Sequence, residues 1–412
     1  MRILEQAGRA GSTLRSEARD GFVLDRGAFF IPSTHVSMLR LAQDAGLGGE
    51  IVPGGDVFAV ARAGELHRLD SAHLIDSFRH TRLLSARAKL AAGRLAREVV
   101  PGRRATFDTI ASVGRYDTEN LEAWARRTQH PEVAEFVIEP AVRSMYAGEV
   151  ENLSRVEFLA LIALFGGAKL VAFRDGMGGY SRRLAEKFDI TLGAHVTAVE
   201  STPDGAQVTW TDAGGEHSEH VAGCVVAVPA GVAAAIVPRL DEWRRGYLAR
   251  IPAGRLLVVN VALSRRPALD ATYTMIPRSQ HPFLAGIVCD HNKAPGRAPE
   301  GKGLLTLAIT TEWSEPHYED DDETVALAAV AAAERFLPGI SDDVEFTEVS
   351  RWAQQYPPVG HYAGLGEFRL RSERFDSTVQ LCGEYMATPH IATATAAGER
   401  AAQALIAQLE PR

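Results

Sequence analysis

Apolar residues recur along this chain with two different periods, and the switches between them divide it into segments. Arg2-Ile3-Leu4-Glu5 and Phe22-Val23-Leu24-Asp25 are short apolar runs that each end on an acid, with a glycine-containing loop between them; both read as strands. Residues 28–32 read as a strand or extended loop ending at Pro32, and residues 37–46 as a short amphipathic helix stopped by Gly46. Residues 57–69 alternate apolar and polar positions around Ala63-Gly64, a hairpin signal. Helical spacing dominates 77–109, 119–127 and 131–141. The period returns to two over 196–200, 207–211, 219–221 and 224–228, with a turn at Asp204-Gly205. The run at 225–228, bounded by Pro229, has the continuous apolar character of a buried parallel strand. Between 256 and 309 the strands are longer (LLVVNVAL, TYTMIP, FLAGIVC, GLLTLAIT) and their loops are rich in proline and glycine, which suits an antiparallel sheet.

Two helix boundaries carry recognisable local chemistry. In EFVIEPAVRSMYAGEVENLS (residues 135–154), Gly148 is expected to stop one helix, and Ser154 with Glu157 three residues on forms a capping box that starts the next. The acids at 320–323 precede a helix over 324–337. There they meet the positive end of the helix dipole, so a solvated helix start is expected rather than a metal site. Gly178-Gly179, opening another helix, reads as a close-packing turn that could also contact an anion.

Composition narrows the function classes. With 412 residues, 46% of them hydrophobic and 23% charged, the chain has material for one large or two or three ordinary domains. The net charge of −8 argues against nucleic acid as a general partner. Cys224, Cys289 and Cys382 are far apart, so neither a disulfide framework nor a zinc site is indicated. No secretory signal and no apolar run long enough to span a bilayer is evident, and a cytoplasmic protein is expected. One segment departs from the average. Residues 79–104 carry eight Arg or Lys (79, 82, 87, 89, 94, 97, 103, 104) against the single acid Glu98, a local charge of +7. Leu83, Leu84, Leu90, Ala91 and Leu95 can share a helix face there. The segment reads either as a helix with a solvated basic face or as one resting peripherally on an anionic membrane.

An acid at the C-terminal end of a strand can accept two hydrogen bonds from ribose hydroxyls, and Glu5 occupies such a position. That acid normally follows a GxGxxG loop by about 20 residues. Nothing precedes Met1 to supply the loop, so the chain is expected to open on the second strand of a dinucleotide fold. The succession of apolar strand, Glu5, Arg9, Gly11, Leu14-Arg15, Asp20-Gly21-Phe22, Asp25 and Gly27 resembles the flavin amine oxidase and protoporphyrinogen oxidase superfamily of FAD enzymes. Four further stretches resemble it in the same order: the 135–154 string, Arg174–Tyr180, Arg351-Trp352 with 357–362, and VQLCGEY…PHIATATAAGE over 379–399, the most specific of them. Ser12 and Thr13 depart from the family pattern where it has Gly and Arg near the pyrophosphate.

The resemblance implies an α/β, two-domain flavoprotein fold. A Rossmann-like FAD domain would be discontinuous (1–55, 172–243 and 370–412) and truncated at its N-terminus. A substrate domain would have a helical part (56–171) and a strand-rich part (244–369). It places Glu5, Arg9, Gly11, Ser12, Thr13, Gly27, Ala28, Val196, Gly383, Glu384, Ile391, Thr393 and Ala394 at FAD, with Glu384 by phosphate and ribitol and Thr393 and Ala394 by the ring. No acid–base residue is fixed by spacing; His361, Tyr362 and Trp352 are the candidates for groups facing the substrate. Val258 stands where amine oxidases of the superfamily carry a lysine, which favours an apolar, unsaturated or cyclic small molecule over a simple amine. The expected activity is hydride transfer from that substrate to FAD. Without the Gly-rich loop, FAD is expected to bind weakly or not at all. The alternative is a cofactor-free binding protein or non-redox enzyme on a truncated flavoprotein scaffold.

Overall fold

The apolar stretch Ala253–Leu263 forms the second strand of a seven-stranded sheet, and its alternation sets the two faces of that sheet. The computed structural model describes residues 1–27, 30–375 and 378–409, the side chains of Leu74, Arg374 and Phe375 excepted. The strand order is Val344–Gln355, Ala253–Leu263, Gly303–Ile309, Leu284–Cys289, Tyr273–Met275, Val57–Arg62 and Glu65–Asp70. Every neighbouring pair is antiparallel except Tyr273–Met275 with Val57–Arg62. Successive side chains on a strand point to opposite faces. Leu257, Val259, Val261 and Leu263 therefore pack with Val325, Ala329 and Ala333 of the helix Asp322–Glu334. Leu256, Val258, Asn260 and Ala262 face the rest of the molecule. The hairpin expected over 57–69 is present and extends this same sheet, with Ala63 and Gly64 in the left-handed region at its turn.

Parallel pairs occupy the other side. Arg2–Glu5 pairs with Asp189–Leu192, and Cys224–Val226 with Val379–Leu381. A three-stranded antiparallel sheet, His195–Thr202, Gly205–Asp212 and Gly215–Val221, lies between them in sequence and turns where Asp204-Gly205 was expected to turn it. The last strand leads into the helix Ile391–Leu409, whose Ala397 and Ala401 are buried in the largest apolar cluster. The helices Leu121–Thr128, Glu139–Tyr146 and Arg155–Phe165 share a third core around Trp124, Phe136, Val142, Phe158 and Leu161.

The two sides are joined through a buried ionic cluster. Asp25, fully buried at the end of Phe22–Asp25, accepts from Lys293 Nζ (2.8 Å), from the Met177 amide (2.9 Å) and from Ser16 Oγ, with the Arg297 guanidinium 3.3 Å away. Lys293 also meets Asp290, whose other oxygen accepts from Thr306 Oγ1 (2.6 Å); Asn260 donates to both Thr306 Oγ1 and the Asp25 carbonyl. The cations beside Asp25 outweigh its desolvation and hold its carboxyl down to about 2.

Three local expectations need correction. Gly148 does not stop its helix: Ala147 takes the left-handed C-cap position at φ 50°, and the chain turns one residue early. Ser154 does cap Arg155–Phe165, accepting from the Val156 amide, but Glu157 does not close a capping box. Its buried carboxyl takes the Tyr362 hydroxyl instead, a tertiary partner outcompeting a local one. The basic segment is not one helix across 79–104. Leu74–His80 ends before Thr81, and helix resumes at Ala86 after Ser85, whose hydroxyl accepts from the Ala88 amide (3.2 Å). The close-packing reading of Gly178-Gly179 fits the backbone: a Cβ on Gly178 would lie 2.1 Å from the Ser16 amide nitrogen.

Candidate functional site

The face of the sheet that carries Leu256 and Val258 looks onto a cavity of about 440 Å³, within the range that holds a drug-sized ligand or cofactor ring. Its walls come from three sources. The sheet gives Leu256, Val258, Tyr273, Ala308, Ile309 and Trp352; the helices give Ser144, Met145, Leu164 and Phe165. The third wall is Ser12-Thr13, Gly27, Gly383-Glu384 and the start of the helix Ile391–Leu409, with Ile391 and Ala394. Gly27 must be glycine for this wall to close, because a Cβ would sit 2.1 Å from the Thr13 carbonyl oxygen. The first turn of the Ile391–Leu409 helix brings its positive dipole end to the cavity.

Polar groups are few in this lining. Among the described lining residues there is no Lys, Arg or Asp; the titratable side chains are Glu384, His35, His390, Tyr273 and Cys382. The Tyr273 hydroxyl is occupied, donating to the Ser144 carbonyl at 2.8 Å. Burial pushes the Cys382 thiol up to about 11, so it is not a thiolate at neutral pH. Burial likewise raises the Glu384 carboxyl to about 7, so near neutrality it is present in both the donating and the accepting form.

The histidines stand out more. His35 is 3% exposed and neither ring nitrogen has a hydrogen-bond partner. It stacks against His390 with centroids 6.1 Å apart. His390 Nε2 is 2.6 Å from Thr388 Oγ1, while its Nδ1 is unpartnered. Trp352 Nε1 is also without a partner. Desolvation lowers His35 to about 4 and His390 to about 3, so both rings are neutral near pH 7 and each carries one donor and one acceptor nitrogen. Four buried polar atoms of the cavity lining thus have no partner among the described residues. Unpartnered buried side-chain atoms also occur away from the cavity, Tyr146 Oη and Trp210 Nε1 among them; these four are set apart because their residues line one chamber.

The residues singled out from sequence divide into two groups. Ser12, Thr13, Gly27, Gly383, Glu384, Ile391, Ala394 and Trp352 come together around the cavity. Thr393 lies beside it, its buried hydroxyl spent on the Thr388 and His390 carbonyls. Ala28 falls outside the described residues. Glu5, Arg9, Gly11 and Val196 are not in the cavity wall. Glu5 accepts from the Ala7 amide (2.7 Å), and Arg9 donates to the Ser12 carbonyl (3.3 Å). Gly11 abuts Ser181, and Val196 lies on the strand His195–Thr202. His361 and Tyr362 do not face the cavity. His361 is buried against Tyr247, whose hydroxyl donates to the His361 carbonyl (2.8 Å), and the Tyr362 hydroxyl is bound to Glu157. Both were expected near Trp352 on sequence proximity, but Pro357-Pro358 and the turn at Gly360 carry them into the helical core. His35 was missed, since a lone histidine ahead of a short helix carries no signal of its own. His390 lay within the 379–399 motif without being singled out.

Known proteins resemble the chain over nearly its whole length. It is 24% identical to coproporphyrinogen III oxidase of Bacillus subtilis (strain 168) over 407 residues, 89% of this chain and 83% of that one. Cyclohexylamine oxidase of Brevibacterium oxydans IH-35A superposes with a TM-score of 0.77 at 17% identity, covering 99% of this chain and 94% of the other. Wild-type putrescine oxidase bound to putrescine superposes with a TM-score of 0.77 at 18% identity, covering 98% and 93%; these two likenesses establish the fold. With residues 1–406 matching the flavin containing amine oxidoreductase family, the chain belongs to that family and is a flavin-linked oxidoreductase.

Proposed function

We propose that this chain is an FAD-dependent oxidoreductase that removes hydride from an apolar, cyclic or unsaturated small molecule. The observation that carries the reading is the cavity itself, an apolar chamber with a helix N-terminus, a titrating carboxyl and four unsatisfied buried polar atoms in its wall. A flavin ring system is apolar on its faces and polar along its pyrimidine edge, and this donor set fits it. Ser12, Thr13, Gly27, Gly383, Glu384, Ile391 and Ala394 are the residues to hold the cofactor. Thr393 stiffens that helix start by tying its hydroxyl to the preceding loop. Glu5 is assigned to the ribose hydroxyls and Arg9 and Gly11 to FAD by the N-terminal resemblance, and Val196 to the adenine by the strand pattern over 196–228. Bound there, a flavin supplies the two-electron acceptor.

The chain's own residues do the rest. The Ile391–Leu409 dipole favours negative charge at its first turn. Leu256, Val258, Ile309, Met145, Leu164 and Phe165 desolvate the reacting region and orient an apolar substrate by shape. Among the lining residues, no lysine or aspartate stands ready to bind an ammonium group, and Val258 occupies the sheet face where the family's amine oxidases are expected to carry lysine. That favours the cyclic substrate class suggested by the name of the coproporphyrinogen III oxidase relative over the amines named for the two solved oxidases.

The test is spectroscopic. Purified protein should carry, or take up from added FAD, the two visible flavin absorption bands, and under anaerobic conditions the bands should bleach with a cyclic porphyrinogen-like donor but not with putrescine or cyclohexylamine. Bleaching by the amines instead would overturn the substrate class. No flavin spectrum even with excess FAD would replace the reading with a cofactor-free binding protein.

A further inference from the structure

A second cavity opens at the far end of one of the helices that wall the first. Pro140 shapes the chain there. Proline lacks the amide for an α-helical bond, and its ring meets the carbonyl four residues back. The chain accordingly passes through a widened π-helical turn, Ala134–Ile138, before Glu139–Tyr146 resumes as α-helix. That turn, the helix Leu121–Thr128 and the loop at Arg278-Ser279 enclose about 330 Å³, enough for a small organic ligand. Ser144 and Met145, at the other end of Glu139–Tyr146, belong to the first cavity.

The floor of the second cavity is apolar, made by Leu121, Ala125, Pro131, Ala134, Ile138 and Val150. Its charged groups are unequal in number. The carboxyls of Glu122, Glu135, Glu139, Glu149 and Glu151 stand in or behind the wall against the guanidinium groups of Arg126, Arg143 and Arg278. Glu122 holds Arg126 (2.6 Å) and Arg278 (3.2 Å), Glu151 holds Arg278 (2.6 Å) and Glu149 holds Arg143 (2.9 Å). Two carboxyls of the lining are left over, four residues apart on one helical face. Glu135 has no hydrogen bond or ion pair among the described residues. Glu139 Oε1 accepts from the Arg278 amide (3.2 Å) and lies 3.7 Å from Arg143 Nε, while its Oε2 has no hydrogen-bond partner. Behind them Glu149 is 5% exposed, and its Oε2, 3.6 Å from the Arg278 guanidinium of the wall, also lacks a hydrogen bond. Burial, aided by the charge of Glu149, raises the Glu139 carboxyl to about 7 against the opposing pull of Arg143 and Arg278.

We propose that this second cavity binds an organic cation, a primary or secondary ammonium group held by Glu135 and Glu139 on an apolar body that covers the floor. The uncompensated charge is negative, which selects against an anion. The lining has no aromatic ring to face a quaternary ammonium, so recognition runs through N–H donors to carboxylate oxygens. The apolar floor selects against a bare metal ion, and among the described residues no three His, Cys, Asp or Glu side chains are placed to hold one. Glu139 ties occupancy to pH. Its carboxyl gives up a proton to hold the cation, so binding strengthens as pH rises through 7.

Calorimetric titration of the full chain with cyclohexylammonium chloride reads this site whether or not flavin is bound. Saturable binding at one per chain is expected, with affinity falling about tenfold from pH 8 to pH 6 as Glu139 takes up its proton. The trimethylated analogue, which keeps the charge but has no N–H, should bind at least several-fold more weakly. Glu135→Gln/Glu139→Gln should lose roughly tenfold or more. Glu135→Gln alone, at a position with no contact to lose, reads the same effect where the double variant departs from the wild-type circular dichroism. Ala394→Trp, which fills the first cavity, should bind as wild type. Absence of saturable binding, equal affinity for the trimethylated analogue, or binding undiminished by the Gln substitutions overturns the proposal. So does binding abolished by Ala394→Trp, which would put the amine in the first cavity and count against the cyclic substrate class as well.

Discussion

His35 and His390 show how one residue type can be uninformative in sequence and decisive in space. Their three unpartnered nitrogens belong to a chamber whose described lining has no Lys or Arg and whose amide side chains are Gln354 and Gln355. A hydrogen bond to a polar ligand edge is worth about 0.5–1.5 kcal/mol, more when its loss strands a buried group. His35→Ala and His390→Ala should therefore each weaken FAD binding by roughly three- to tenfold and shift the visible bands of bound flavin, as followed by absorbance titration. His361→Ala, in the helical core, should leave the bands in place. Unchanged affinity and spectrum in both cavity variants would remove the pair from the cofactor site. Gly383-Glu384, Ile391 and Ala394 were legible because the stretch 379–399 resembles the family's closing motif, a strand ending in glycine and acid ahead of a helix, and that motif is local. His35 gains its place only from tertiary packing across more than 350 residues of chain, which no spacing records.

At the scale of elements, the period-two and helical runs were readable wherever one face is buried. The strands from 253 to 309 and the hairpin over 57–69 are examples. What could not be read was which elements share a sheet, or how a cap competes with a distant partner, as at Glu157. The Asp25–Lys293–Asp290 cluster belongs to this class. Its members lie on Phe22–Asp25 and the short helix Asp290–Lys293, and nothing in sequence pairs them. Removing the shared cation strands two buried carboxylates, and breaking a buried ion pair in this way costs about 3–5 kcal/mol. Lys293→Met should lower unfolding stability by that amount in urea denaturation. A loss below ~1 kcal/mol would mean that Arg297 and Ser16 suffice for Asp25. At the basic segment, helical periodicity was readable but the break before Ala86 was not, because Leu83 and Leu84 leave the helix to fill the core.

The whole molecule has a stability that its buried titrating groups make pH-dependent from both sides. His35 (about 4), His361 and His390 (both about 3) are lowered by burial. The unfolded chain takes up their protons below about 6.5, so stability falls as pH drops from there toward 3. Glu139, Glu157 and Glu384 are raised to about 7, again chiefly by burial. The unfolded chain releases those protons above about 4.3, so their contribution is full below that pH and is lost as pH rises through 7. Glu157→Gln, which keeps a hydrogen-bond acceptor for Tyr362, should change little at pH 4.5 and recover on the order of 2 kcal/mol at pH 8. Thermal melts at the two pH values check this, and an equal shift at both would show that the carboxyl is ionised in the fold.

The proposed seat of the FAD ring system is the cavity between the seven-stranded sheet and the Ile391–Leu409 helix. Titrating the purified chain with FAD and following flavin fluorescence tests it directly, with Ala394→Trp filling the cavity as the control. Saturable binding at one FAD per chain is expected, abolished by Ala394→Trp while circular dichroism is unchanged. Fluorescence that never saturates, or binding that survives Ala394→Trp undiminished, would contradict it.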